Sequence, residues 1–217
     1  MKSLINKHIG KIINANCLDI LKDIPDNSID CVITDPPFGI NYQSNRRKIK
    51  HEKIVNDDAL FLFLNELIRI TKEDGCLFIF YSWKNKLIDD RIKNEIIWVK
   101  DNWSAGDLKG NYGNMYETIA FIPRLGFKMQ KRYPNVFECK RANCELHPTE
   151  KPVGIINFLL RSATKKDDLI LDPFCGSGTT CVAAKQNHRR YIGIDISDKY
   201  CEIARRRLKE TTKKMFI

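Results

Sequence analysis

Residues 169–180 read LILDPFCGSGTT: an apolar run ends at Asp172, and Gly176, Ser177 and Gly178 then open a helical stretch. Glycines at such a turn let the backbone pass close to a ligand, and a helix N-terminus offers N–H groups to it. The following run, YIGIDIS, ends in Asp195, 17 residues after Gly178. An acid at that strand tip can accept hydrogen bonds from a ribose diol. The pattern is not the dinucleotide fingerprint, because the third glycine is missing, and not a Walker loop, because no Lys-Ser/Thr follows.

Two further stretches hold side chains that could do chemistry. VITDPPFGINY, residues 32–42, drives an apolar run into Asp35, Pro36, Pro37 and Phe38. A plain strand-ending turn is one reading. Average residue usage would put that tetrapeptide in about one chain in several hundred by accident, so a functional reading stands beside it. In LHPTEKPVGIINFLL, His147 is a ligand, a base or a hydrogen-bonded turn residue. Thr149 and Lys151, at the entrance of a helix, either hold a carboxylate or form an ordinary solvated cap. Cys139, Cys144 and His147 could supply three zinc ligands, but the first spacing is unusual and no fourth ligand lies nearby, so no metal is expected.

The elements that must position these residues alternate between short β-rich runs and helical patterns, which is the signature of an α/β sheet covered on both faces. Strands are predicted at 11–14, 31–34, 76–82, 96–100, 118–122, 169–172 and 191–195, seven in all. Several are continuous apolar runs, as strands covered on both faces should be. Helices are predicted at 60–71, 84–93, 152–164, 179–187 and 197–213. In the last, Cys201, Ala204 and Leu208 form the apolar stripe and residues 205–207 are expected to be largely solvated. Residues 41–59, 101–114 and 124–146 read as excursions from the core.

With 217 residues and 43% hydrophobic side chains, the chain has the size of one domain with a substantial core. No apolar run approaches the length that spans a bilayer, and MKSLINKHIGKI has no signal-peptide pattern. The eight cysteines lie within apparent strands and helices, as reduced core residues of an intracellular enzyme would. A net charge of +10 favours a polyanionic partner, because each contact to phosphate releases condensed counterions. Arg46, Arg47 and Lys48 follow the DPPF stretch, and Lys128, Lys131 and Arg132 fall in the third excursion.

In chain order, DPPF, HPTEKP and DPFCGSG closely resemble the motifs of the β group of S-adenosylmethionine-dependent DNA amino-methyltransferases. These act on N6 of adenine or N4 of cytosine. The resemblance runs from about Lys11 to Leu208. It implies one methyltransferase domain over 1–217: an α/β, Rossmann-like, mostly parallel seven-stranded sheet with helices on both faces and permuted motif order, the catalytic half first. It also implies that the strands ending at Thr34 and Asp172 are neighbours facing one cleft. By the same resemblance Asp35, Pro36, Pro37 and Phe38 are catalytic, with Asp35 also close to the cofactor. Phe174, Gly176, Ser177 and Gly178, with Asp172, line the methionine and ribose portion. Asp195 holds the ribose hydroxyls beside Ile196, while Thr149 and Lys151 lie near the methionine end. INANCLDIL resembles a segment that approaches the adenine, with Asn16 where the family usually has Asp.

The resemblance explains the acid and the two prolines. An aryl amine is a poor nucleophile, and Asp35 with the Pro36 carbonyl could accept its two hydrogens and pyramidalise the nitrogen. The paired prolines hold both acceptors in extended backbone, and Phe38 offers a stacking face to an extruded base. The cytosine enzymes more often carry Ser at the first position, so Asp35 favours adenine. N4-cytosine methylation, RNA methylation and an inactive DNA-binding module are the alternatives. Only about 124–146 is free for target recognition, which predicts a short site on double-stranded DNA, helped by residues 41–53 or by a second subunit in a homodimer. A cognate restriction endonuclease and a cytoplasmic location complete the expectation.

Overall fold

The computed structural model describes residues 5–37, 57–81, 86–102, 112–142 and 150–215, with only the backbone for 57–62 and 213–215. The elements run β1 (Lys11–Asn14), α1 (Cys17–Asp23), β2 (Ile29–Thr34), α2 (Asp57–Ile70), β3 (Thr71–Tyr81), β4 (Asn94–Val99), β5 (Tyr116–Pro123), β6 (Val136–Glu138), α3 (Val153–Ala163), β7 (Leu169–Asp172), α4 (Thr179–Gln186), β8 (Arg190–Asp195) and α5 (Asp198–Met215). The strands form one sheet in the order β1-β8-β7-β2-β3-β5-β4-β6. All pairings are parallel except those of β5 with β3 and with β4.

The continuous apolar strands follow from burial on two sides. Successive side chains of a strand alternate faces. Cys31 and Ile33, Phe78 and Phe80, and Ile170 pack on one face with Ile155, Leu159, Val182 and Ala204 of α3, α4 and α5. Val32, Leu77, Ile79, Leu169 and Leu171 pack on the other with Leu21 of α1 and Phe63 and Leu67 of α2. Every one of these residues is buried.

β7 and β2 are neighbours, with Cys31 against Ile170 and Val32 against Leu171. From β2 the chain continues to β3 on one side, and from β7 to β8 on the other. That makes the gap beyond their carboxyl ends the switch point where open α/β sheets bind ligands. Antiparallel β5 has a second consequence. Its first residues, Tyr116 and Glu117, lie opposite Val99 and Trp98 at the end of β4, so they reach the same edge of the sheet as the carboxyl end of β2.

Three elements differ from the sequence expectation. The sheet has eight strands, not seven. β6 is three residues long and exists through its pairing with β4, and Phe137 within it stacks on Phe158 of α3 with ring centroids 4.3 Å apart. Such a pair adds about 0.5–1.5 kcal/mol to the area it buries. α1 is an addition to the predicted helices; Asn16 caps it by accepting a 3.0 Å hydrogen bond from the Leu18 N–H. The described part of the predicted helix at 84–93 is a turn instead. The Asp89 carboxylate accepts from the Arg91 backbone N–H and ion-pairs with the same guanidinium, a local bond that competes with helix. Among the described residues no helix is long and apolar enough to cross a membrane.

Candidate functional site

Beyond β2 the chain passes straight into Asp35, Pro36 and Pro37. The Asp35 Oδ2 accepts from the Lys151 ammonium at 2.8 Å. The same ammonium lies 2.8 Å from Glu117 Oε2, and Glu117 Oε1 lies 2.8 Å from Lys100 Nζ. Four alternating charges thus run along one edge of the sheet, from the exits of β2 and β4, the entrance of β5 and the residues ahead of α3. Lys151 and Lys100 are only 15% and 7% exposed, so both ammoniums depend on these partners. Aromatic rings back them: Lys151 Nζ stands 5.0 Å from the Phe80 centroid and Lys100 Nζ 5.4 Å from that of Trp98.

The electrostatics follow from that alternation. Burial pushes the Asp35 carboxyl up, and Lys151 pulls it back without fully reversing the shift. Burial also works to raise Glu117, but Lys151 and Lys100 outweigh it and hold this carboxyl at about 2. Lys151 is desolvated, which disfavours its charge, yet Asp35 and Glu117 together hold it above the ordinary lysine range.

Across the cleft, the glycine loop sits between β7 and α4. Gly176 and Gly178 have φ of 49° and 82°, in the left-handed region that favours glycine. At Gly178 a Cβ would also stand 2.7 Å from the Ala204 side chain of α5, so the loop is seated directly on that helix. Asp195 at the tip of β8 accepts from the Gly176 N–H at 2.9 Å and from the Ser197 N–H at 2.8 Å, joining the loop to the neighbouring strand tip. Asp172 is buried, which pushes its carboxyl up to about 7 against hydrogen bonds from the Thr180 hydroxyl and the Phe174 N–H. The Phe174 ring meets Phe63 of α2 at 5.3 Å, and Ile196 is exposed beside Asp195.

The structure therefore gathers Asp35, Pro36, Pro37, Lys151, Asp172, Phe174, Gly176, Ser177, Gly178, Asp195 and Ile196 at the carboxyl edge of the sheet. Asn16 stands beyond the end of β1, next to β8, and uses its side-chain oxygen as a helix cap. The Ser177 hydroxyl oxygen accepts a 2.9 Å hydrogen bond from the Arg207 guanidinium. Lys151 directs its ammonium to Asp35. Lys128, Lys131 and Arg132 are exposed, and Lys131 Nζ rests 5.1 Å from the Tyr133 ring centroid. Phe38, Thr149, Arg46, Arg47 and Lys48, with Cys144 and His147, lie outside the described residues. Among those described, no group of three His, Cys, Asp or Glu could hold a metal ion.

Four participants escape the sequence reading. Lys100 and Glu117 are single charges at the ends of apolar strands, and only the antiparallel direction of β5 brings them together. Arg207 and Glu150 are the others. Contrary to the solvated position expected of it, Arg207 is 15% exposed and lies 2.7 Å from Glu150 Oε1, itself 9% exposed. Its other nitrogen donates to the Ser177 carbonyl at 2.8 Å, to the Ser177 hydroxyl at 2.9 Å and to Thr179 Oγ1 at 3.2 Å. One guanidinium of α5 thus ties the glycine loop to the residue beside Lys151.

Residues 29–206 match the family profile described as DNA methylase, covering the N6 and N4 enzymes. Type II methyltransferase M2.MboI of Moraxella bovis is 31% identical over 93% of this chain and 88% of its own length. DNA adenine methyltransferase YhdJ of Escherichia coli K12 is 29% identical over 91% of this chain and 82% of its own. Among solved structures, that of M1.HpyAVI in complex with S-adenosylmethionine superposes with a TM-score of 0.70 at 25% identity, covering 91% of this chain and 98% of that one.

Proposed function

The chain belongs to the N6/N4 DNA methylase family, and we propose that it transfers a methyl group from S-adenosylmethionine to the N6 amine of adenine in duplex DNA. The observation that carries this reading is the Asp35 carboxylate, held by Lys151 at the exit of β2 and set across the switch point from the glycine loop after β7. Asp35 rather than Ser ahead of the proline pair favours adenine, as does the adenine enzyme YhdJ among the relatives.

The residues present fit the cofactor. The carboxylates of Asp35 and Asp195 stand at the carboxyl edge of the sheet and complement a sulfonium cation. Asp195 carries oxygens that each accept more than one hydrogen bond, so ribose hydroxyls can join its two backbone donors. The exposed Ile196 gives an apolar surface for a ring. When bound, S-adenosylmethionine supplies an electrophilic methyl group on a good leaving group. The protein then has chiefly to position and desolvate the target. Asp35 and the Pro36 carbonyl would accept the two amine hydrogens and turn the nitrogen lone pair outward. As the nitrogen–carbon bond would form, the carbon–sulfur bond would break with its electron pair going to sulfur, and the nitrogen would give up one proton, for which the Asp35 carboxylate is the acceptor in place. Phe38 would stack on the extruded base, whose unstacking costs a few kcal/mol. Phosphates would be held by Lys128, Lys131 and Arg132 and by Arg46, Arg47 and Lys48. The reading includes a short recognition site, two copies acting on it, a cognate restriction endonuclease and a cytoplasmic setting.

The test is to incubate the protein with methyl-labelled cofactor and duplex DNA, digest to nucleosides and separate them by mass spectrometry. Label in N6-methyladenine is expected. Asp35→Ala should abolish it while keeping cofactor affinity within about tenfold, about 1.4 kcal/mol. Label in N4-methylcytosine overturns the base, label only with RNA overturns the substrate, and cofactor binding without transfer to any nucleic acid leaves an inactive DNA-binding module.

A further inference from the structure

Asp35 has a partner whose own position must be explained. The Lys151 side chain has four rotatable carbons, and fixing such a chain costs up to about 1.5–2 kcal/mol of conformational freedom. Asp35 alone does not fix it, because one ion pair leaves two of the three ammonium hydrogens without a carboxylate. The second anchor is Glu117, at 2.8 Å, and it sits on a strand paired on both sides, by β3 and by β4. Lys100 then holds the far oxygen of Glu117, at 2.8 Å, from the end of β4. Sites built on strands hold their geometry more closely than sites on loops. By the functional reading above, Asp35 is the member of the four that receives the target amine.

We propose that Glu117, backed by Lys100, is the positioning residue of this active centre: it holds the Lys151 ammonium on Asp35 and so fixes the orientation and charge of that carboxylate. The proposal rests on the methyltransferase reading above. Asp35 is faced by Lys151 from the approach to α3, Glu117 from β5, Lys100 from the end of β4 and Asp172 from β7.

These surroundings make the two roles of Glu117 separable by sign. As a nearby negative charge, Glu117 raises the Asp35 carboxyl, so its loss would let Asp35 ionise at lower pH. As the anchor of Lys151, its loss frees the ammonium to leave Asp35, which would then ionise only at higher pH. The positioning role therefore predicts that Glu117→Ala moves the acid limb of the kcat profile upward in pH. It also lowers kcat by about a hundredfold, the scale of a 1 Å misplacement, with the KM for cofactor little changed. Glu117→Gln keeps an oxygen to accept from Lys151 and should restore much of the rate. Lys100→Met should show the Glu117→Ala effects in weaker form.

The experiment measures kcat against pH for these variants, and follows the Lys151 ammonium by NMR of Nζ-labelled protein. In the wild type that ammonium should exchange its protons slowly, and Glu117→Ala should speed the exchange. An acid limb that moves downward, or an unchanged kcat, overturns the proposal while the wild type remains a methyltransferase. Unchanged Lys151 exchange in Glu117→Ala overturns it even in a wild type that methylates nothing, which is the separate failure of the functional reading.

Discussion

Arg207→Met tests whether the last helix braces the site. The substitution keeps an unbranched apolar stem of similar reach and removes only the guanidinium. In the native protein that group lies 2.7 Å from Glu150 and donates to Ser177 and Thr179. With Glu150 only 9% exposed, the variant leaves a buried carboxylate without its cation. Breaking a buried pair from one side costs about 3–5 kcal/mol, which in a domain of this size lowers Tm by roughly 6–20 °C. Adding Glu150→Gln removes the orphaned charge, so the double variant should be more stable than Arg207→Met alone. The coupling should reach about 1–3 kcal/mol, the scale of residues in one network. The loop that loses Arg207 is the glycine loop, so cofactor affinity should fall in the single variant as well. Denaturant unfolding of all four proteins, with a cofactor titration of each, measures both effects. A single-variant cost below about 1 kcal/mol, or strictly additive losses in the pair, would refute the brace.

Two further outcomes follow from the charges. Burial raises Asp172 from 3.8 to about 7, so the stability it contributes is complete below pH 3.8 and is lost as pH rises to about 7, at up to about 1.4 kcal/mol per pH unit; Asp172→Asn should remove that slope from unfolding of the cofactor-free protein between about pH 4 and pH 7, and an unchanged slope would assign it elsewhere. Neutralising the exposed Lys128, Lys131 and Arg132 should weaken duplex binding and reduce the slope of log affinity against log salt by about 0.9 for each phosphate that is no longer neutralised, whereas an unaltered salt response would move the DNA track off this segment.

The sequence made the strands legible for a physical reason: a strand covered on both faces has no polar side, so β2, β3, β7 and β8 stand out as apolar runs. The glycine loop was legible because the left-handed backbone at Gly176 and Gly178 restricts residue type. β6 was not, since a three-residue strand owes its existence to β4 and to Phe158, both distant in the chain. In the described part of 84–93 the helical pattern lost to Asp89, whose side chain bonds the backbone two residues on. The charges at the strand ends were the hardest to interpret. A lysine closing one apolar strand and a glutamate opening the next read as solvated punctuation when the strands are taken one by one. Run β5 parallel to its neighbours and Glu117 would stand at the opposite edge of the sheet from Asp35. Because β5 is antiparallel, it instead meets Lys100 and Lys151 beside the Asp35 carboxylate. Strand direction, which no single stretch of this sequence encodes, decides whether Glu117 is surface or site.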